Sequence, residues 1–317
     1  MDDYQIICQS NPDLRDISPF SQPGFFFNEH VYLQQQQNHR RFHWLSALNQ
    51  HTQQTDARCA FFSQSNQAVS PLAAPFGSIE FAENLPASVL DAFIIALLQE
   101  TQRAGATTLR LVHHPTCYAP TQTERLNTKL LAHGFAIAEN HPTFFLPVGD
   151  HDFKRDLAPA EKRRLRKAEQ MGLRVAQQIQ PNVANVVSFL QETRRQKGYP
   201  LSIAPEQLTN MLRSYPDRYA IFTVMNGQVI AALTITVRVR HDILYNFLPA
   251  SNPDYTNYSP MVLLTDGLFR YCQQQQIRLL DLGLSLDQNR LPKPSLMRFK
   301  RNLGAQESPK LVFIRSL

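Results

Sequence analysis

Apolar residues in this chain alternate between short runs with a two-residue period and longer runs with helical spacing, and the two kinds follow one another in a regular order. After residue 172 the order is plainest. The stretches 218–225 and 229–238 read as strands joined across Asn226-Gly227, the strongest short hairpin signal a sequence offers. Residues 242–247 continue the sheet, 249–258 form a loop, and Ser259-Pro260 start a helix by N-cap and first-turn preference. A strand at 277–282, a helix at 294–303 and a strand at 310–314 close the chain. Before residue 150 the pattern predicts a strand at 4–9, then an irregular segment at 11–33 that packs the rings of Phe20, Phe25, Phe26 and Phe27. A helix around 39–47, strands at 58–65 and 78–81, and a helix from Pro86 to the stop at Gly105 follow. A strand at 107–112, a helix at 122–132 and strands at 135–138 and 143–148 complete this half.

The stretch 277–304 has a weaker copy at 107–134, an offset of 170, and both run from a short apolar strand through a polar loop to an amphipathic segment closed by glycine. The offset can be tested elsewhere, since a duplication keeps register across several elements. It carries 87–103 onto 257–273, 58–65 onto 228–235, 4–9 onto 174–179, and the helical 39–50 onto 209–220. The halves differ most at 183–197, a clear helix with Val186, Val187 and Leu190 on one face, where the first half is irregular. The alternative is one larger α/β domain.

With 317 residues the length suits two domains of ordinary size. A 43% hydrophobic and 18% charged composition is that of a folded soluble protein. No segment supplies the roughly 20 uncharged apolar residues of a membrane span. The N-terminus MDDYQIICQSNPD carries acids where a secretory signal has basic residues, so the expectation is a cytoplasmic protein. Cys8, Cys59, Cys117 and Cys272 are scattered without a CxxC pair, which indicates buried thiols and neither a metal site nor a disulfide framework. Cys117 stands near His113 and His114, but the reading is against a catalytic thiol there.

The net charge of +6 is unevenly placed: residues 154–174 sum to +5 and 290–317 to +6, leaving an acidic remainder. Such zones collect anionic substrates, cofactor phosphates or nucleic acid. Pro159 starts and Gly172 stops a helix whose Lys162, Arg163, Arg166 and Lys167 share one side while Leu165, Ala168 and Met171 share the other.

The order α, β-hairpin, β, α, β, α, β, with its last helix closing on His133-Gly134-Phe135 or Leu303-Gly304-Ala305, resembles the GNAT acyltransferase fold. Doubled around a basic segment, it is similar to the FemAB-type peptidoglycan aminoacyltransferases and the tandem acetyltransferase-like proteins related to them. The motifs that carry the resemblance are KRRLRKAEQMGLRV (162–175), YSPMVLL (258–264), LLDLG (279–283) and FKRNLGA (299–305). It implies an α/β (α+β) fold with two GNAT-like domains in tandem, each a mixed, mostly antiparallel central sheet flanked by helices. The expected bounds are 1–150, a basic linker helix at 151–171, and 172–317, with a substrate groove between the domains and the reaction centre in the second. The activity implied is transfer of an acyl or aminoacyl group from a thioester or aminoacyl-tRNA to a small-molecule or peptide-like amine, with no metal. One departure stands out: neither half has the Gln/Arg-x-x-Gly-x-Gly/Ala loop that cradles the pyrophosphate of coenzyme A.

Acyl transfer to an amine needs a neutral nucleophile, a donor for the tetrahedral oxyanion and charge stabilisation at the leaving group. Lys300 suits the last two tasks, and the resemblance places the Phe-Lys pair at the cleft. Tyr245 and Tyr258 flank the central loop, where a phenol can protonate a departing group or simply pack. Asp281 lies among apolar strand residues, as an acceptor for the substrate ammonium or as a structural lock. Ser259 with the amides after it is a candidate phosphate or oxyanion contact. Arg163, Arg166 and Arg298 are candidates for a diphosphate, an anionic acceptor or a tRNA backbone. Two alternatives remain: an acetyl-CoA-dependent N-acetyltransferase with a divergent phosphate loop, and a catalytically inactive GNAT-fold protein that binds an anionic ligand.

Overall fold

The computed structural model describes residues 3–36, 40–198, 201–287 and 289–317. The chain forms two compact units, Met1–Pro142 with Ser308–Leu317, and Thr143–Glu307. The last strand of the chain thus counts with the first unit, and the basic helix counts with the second.

In chain order the elements are β1 (Tyr4–Ser10), α1 (His30–Gln34), β2 (Arg41–Asn49), β3 (Gln54–Gln64), β4 (Gln67–Ser70), β5 (Glu80–Phe81), α2 (Ala87–Arg103), β6 (Thr108–Val112), α3 (Pro120–Ala132) and β7 (Ala136–Pro147). There follow α4 (Pro159–Gln170), β8 (Arg174–Gln178), α5 (Val183–Gln196), α6 (Pro205–Ser214), β9 (Tyr219–Asn226), β10 (Val229–Arg240) and β11 (Ile243–Ser251). The chain closes with α7 (Pro260–Gln274), β12 (Leu279–Leu284), α8 (Pro294–Asn302) and β13 (Gln306–Ser316).

In the first unit the strand order is β1-β2-β3-β4-β6-β13, with β5 added to β3. In the second it is β8-β9-β10-β11-β12-β7, where β7 contributes its residues from Thr143 onward. Each sheet has one parallel pair, β4 with β6 and β11 with β12, and is otherwise antiparallel. Parallel neighbours need a crossover, which α2 and α7 supply. Helix α2 buries Val89, Leu90, Phe93, Ile94 and Leu97, a helical stripe that packs onto Leu45, Ala57, Cys59 and Leu109. Its counterpart α7 covers Val224, Ala231, Ala232 and Leu280, with α4 alongside through Leu165 and Ala168.

The helix expected around 39–47 is the strand β2, while His39 itself lies outside the described residues. The physical reason is two-sided burial. Leu45 and Ala47 face the α2 core, and Phe42 and Trp44 face a second cluster with Leu33 and Phe62. A strand apolar on both faces loses the two-residue alternation that identifies strands. Consequently the offset of 170 fails at that element, where 209–220 spans α6 and the start of β9. The two strands read at 135–138 and 143–148 are one continuous strand, β7.

Helix α7 approaches the sheet closely at Gly267, where an added Cβ would stand 2.5 Å from Val175 Cγ1 on β8. Gly267→Ala is therefore expected to destabilise the fold by about 1–3 kcal/mol through overpacking. Urea unfolding measures it, and a variant as stable as the parent would contradict the close contact.

Candidate active site

Strands β11 and β12 pair at three positions only: Ile243 with Leu279, Leu244 with Leu280, and Tyr245 with Asp281. Past Tyr245 the first strand follows β10 to Ser251 and the second follows β7 to Leu284, so the sheet forks. Both arms slip register just beyond the last pair, which leaves Phe247 and Leu282 as extra residues. Bulges bend strands and re-aim side chains, and two of them at one level hold the fork open.

The fork contains a cavity of about 620 Å³, and every residue lining it belongs to the second unit. Tyr245 and Phe247 form one wall, Leu282 and Gly283 the other, with Ser259 from the start of α7 and Lys300 from α8 between them. Lys300 is only 6% exposed. Its Nζ donates to the carbonyls of Gly283 at 2.9 Å and Leu284 at 2.7 Å and stands 5.4 Å from the centre of the Phe144 ring. Burial draws its ammonium down to about 8, against the opposing pull of the Asp281 carboxylate.

Asp281 is buried, and its Oδ1 accepts from the Gly283 amide at 2.6 Å and from Thr143 Oγ1 at 3.3 Å. The carboxylate thus pins the β12 bulge while it faces the lysine electrostatically. Gly283 has φ of +72°, and a Cβ there would lie 3.0 Å from Cε2 of Tyr245. Glycine allows both the left-handed backbone and the tyrosine ring laid against it. Burial first, then the charge of Asp281, raises the Tyr245 phenol well above its ordinary value, so it stays protonated at neutral pH.

Residues 160–301 match the family model for an acetyltransferase (GNAT) domain. The whole chain has a tandem GNAT-like fold. It is similar to the crystal structure of FemX, with a TM-score of 0.70 at 10% identity over 93% of each chain. A tandem GNAT protein from the clavulanic acid biosynthesis pathway gives 0.55 at 10% identity over 98% of each chain. L-PGS from Bacillus licheniformis gives 0.54 at 12% identity over 82% of this chain and 81% of its own. At such identities the likeness is one of fold. No curated protein matches the chain in sequence.

Of the residues expected at the site, the second unit brings together Lys300, Tyr245 and Ser259 on the cavity wall, with Asp281 hydrogen-bonded to the Gly283 amide of that wall. Ser259 does not act as a side-chain N-cap; its backbone is left-handed at φ of 52°, and the residue lines the cavity. Tyr258 is absent from that wall, and its ring receives the Lys167 ammonium at 5.4 Å. Arg163, Arg166 and Arg298 are exposed and likewise do not line it. The lining instead includes Arg164, Arg194, Lys197 and Lys293, none of them singled out by sequence. One signal was present: Arg164 stands three residues after Glu161, a helical ion-pair spacing.

In the first unit β4 and β6 pair as far as Ser70 and Leu111. The rings of Phe25, Phe76, His114 and Tyr118 pack together just beyond, at centroid distances of 4.6 to 6.0 Å. His113, which stands near Cys117 in the sequence, is buried against Phe313, and burial lowers it to about 3, so it is neutral. Among the described residues no helix is long and apolar enough to cross a membrane.

Proposed function

We propose that the second unit is an N-acyltransferase that moves an acyl group from a thioester donor to an amine acceptor inside the forked cavity. The observation that carries this reading is the buried lysine at the base of an open strand fork within the segment matching a GNAT domain. An ammonium has three N–H donors. Two of those of Lys300 are held by strand carbonyls, which aims the third at the developing oxyanion of a substrate laid against β11. Such a donor, fixed in advance, typically lowers the barrier to addition by a few kcal/mol. Tyr245, kept protonated, donates a hydrogen bond to the leaving thiolate, which takes up the proton that the acceptor amine releases. Ser259 and the first turn of α7 contact the donor from the mouth of the fork. Tyr258, Arg163, Arg166 and Arg298 take no part in these steps.

A second reading, with aminoacyl-tRNA as donor, is favoured by the exposed basic face of α4, where Arg163 and Arg166 would meet a phosphate backbone. One assay separates the two. The full chain is given acyl-CoA thioesters of increasing chain length and a panel of amines, and thiol release is followed; aminoacyl-tRNA with the same amines forms a parallel arm. Thiol release that depends on the amine is expected. Turnover of aminoacyl-tRNA with no thioester consumed would replace the first reading by the second, and turnover of neither would leave a binding protein. Because the ammonium form of Lys300 does the work, the rate should fall as pH rises through about 8. Deprotonation of the acceptor favours the opposite trend, so the profile is bell-shaped.

A further inference from the structure

Besides Lys300, the cavity is lined by Arg164, Arg194, Lys197 and Lys293, and among the described residues no Asp or Glu lines it. These four come from α4, from α5 and its C-terminal cap, and from the residue before α8, so they are no single charged helix face. Both arginines are held in place. Arg194 Nη2 donates to the carbonyl of Pro249 on the β11 arm of the fork at 3.1 Å. Arg164 Nη1 donates to Glu161 Oε1 at 2.6 Å, and Asn302 Nδ2 reaches the same oxygen at 3.5 Å.

Glu161 is the informative member. It is fully buried, yet its Oε2 has no hydrogen-bond partner. A buried carboxylate left half satisfied is costly, and an ion pair of this kind seldom repays the cost in stability. Its effect here is geometric: it fixes a half-exposed arginine at the cavity wall. A planar guanidinium fixed in this way is suited to two-pronged contact with phosphate oxygens.

The backbone offers less at the same mouth. Helix α7 opens with Pro260, which has no N–H, after a left-handed Ser259, and no glycine-rich amide loop precedes it. Charge neutralisation at this fork therefore has to come from side chains.

We propose that Arg164, Arg194, Lys197 and Lys293 form a side-chain clamp for a phosphate-bearing group of the substrate, with Glu161 as the residue that positions Arg164. The clamp deepens the transferase reading, on which its assignment to a substrate rests. Phosphate can arrive on the donor, as in a nucleotide-linked thioester, or on the amine acceptor; the chemistry of capture is the same.

The test begins with inorganic pyrophosphate titrated calorimetrically into the full chain. Binding is expected to weaken at least about tenfold in Arg164→Gln and in Arg194→Gln, and to weaken with salt in the parent. Arg213→Gln, which removes a charge from the exposed side of α6, should bind as the parent does. Glu161→Gln should raise KM for the phosphate-bearing substrate with kcat nearly unchanged, whereas a merely structural loss would lower both the melting temperature and kcat. Because Glu161→Gln can fail to fold, Arg194→Gln is the second variant. For the source, acyl-CoA is compared with the corresponding acyl-pantetheine, which has no phosphate. A KM rise in Arg164→Gln confined to acyl-CoA assigns the clamp to the donor, and a rise in the acceptor KM with both donors assigns it to the acceptor. Pyrophosphate that fails to bind the parent, or binds the arginine variants equally well, overturns the clamp. Pyrophosphate binding without any acyl transfer would retain the clamp and reject the transferase reading; transfer without pyrophosphate binding would do the reverse.

Discussion

Lys300→Met is expected to lower kcat by about two to three orders of magnitude, the usual loss when one pre-positioned oxyanion donor is removed. Its effect on stability should carry a distinct pH signature. In the folded chain burial draws the lysine from 10.5 down to about 8. Below pH 8 both folded and unfolded chains hold the proton, so the cost of burying the charge is fully present. Between 8 and 10.5 the folded chain releases a proton that the unfolded chain keeps, and stability rises with pH. The parent should therefore gain on the order of 3 kcal/mol relative to Lys300→Met across that window. Urea unfolding of both proteins at pH 7 and pH 10 measures the difference. Parallel stability curves would show that the lysine is not buried as described, and near-parental turnover by the methionine variant would remove it from the chemistry.

Asp281→Ala should have the largest effect on stability, about 3–5 kcal/mol, the range found when one partner of a buried charge interaction is deleted. The change leaves the Gly283 amide and the Thr143 hydroxyl without their carboxylate acceptor and removes the anion that faces Lys300. Asp281→Asn keeps an acceptor oxygen and should cost less. If the alanine variant unfolds within 1 kcal/mol of the parent (about the worth of one ordinary hydrogen bond), the bulge does not depend on this carboxylate.

The parts of the fold that could be read from the sequence were those where a single face is buried or a turn has unambiguous chemistry. The hairpin at Gly227, with its φ of +57°, and helix α2 are examples. Strand β2 was misread because both of its faces are covered. At the site, LLDLG and the Phe-Lys pair marked Asp281, Gly283 and Lys300, each carried by a regular element. The fork itself could not be read, since it arises from the point at which two strands stop pairing and from bulges at Phe247 and Leu282. The arginines divide on the same principle. Helical phase grouped Arg163 with Arg166; the three-residue spacing of Glu161 and Arg164 stands in the sequence, but the burial of Glu161 that fixes Arg164 at the cavity wall emerges only on packing.

The first unit includes Ser308–Leu317, and β6 pairs with β13 from Val312 to Ser316. Leu311 and Phe313 belong to the same apolar cluster as helix α2. During synthesis the β6 edge of the first unit stays uncovered until residues 308–317 have left the ribosome. Completion of the unit begun first is thus tied to residues made only after the second unit, and a fragment ending before residue 308 would lack a strand of the first unit's core.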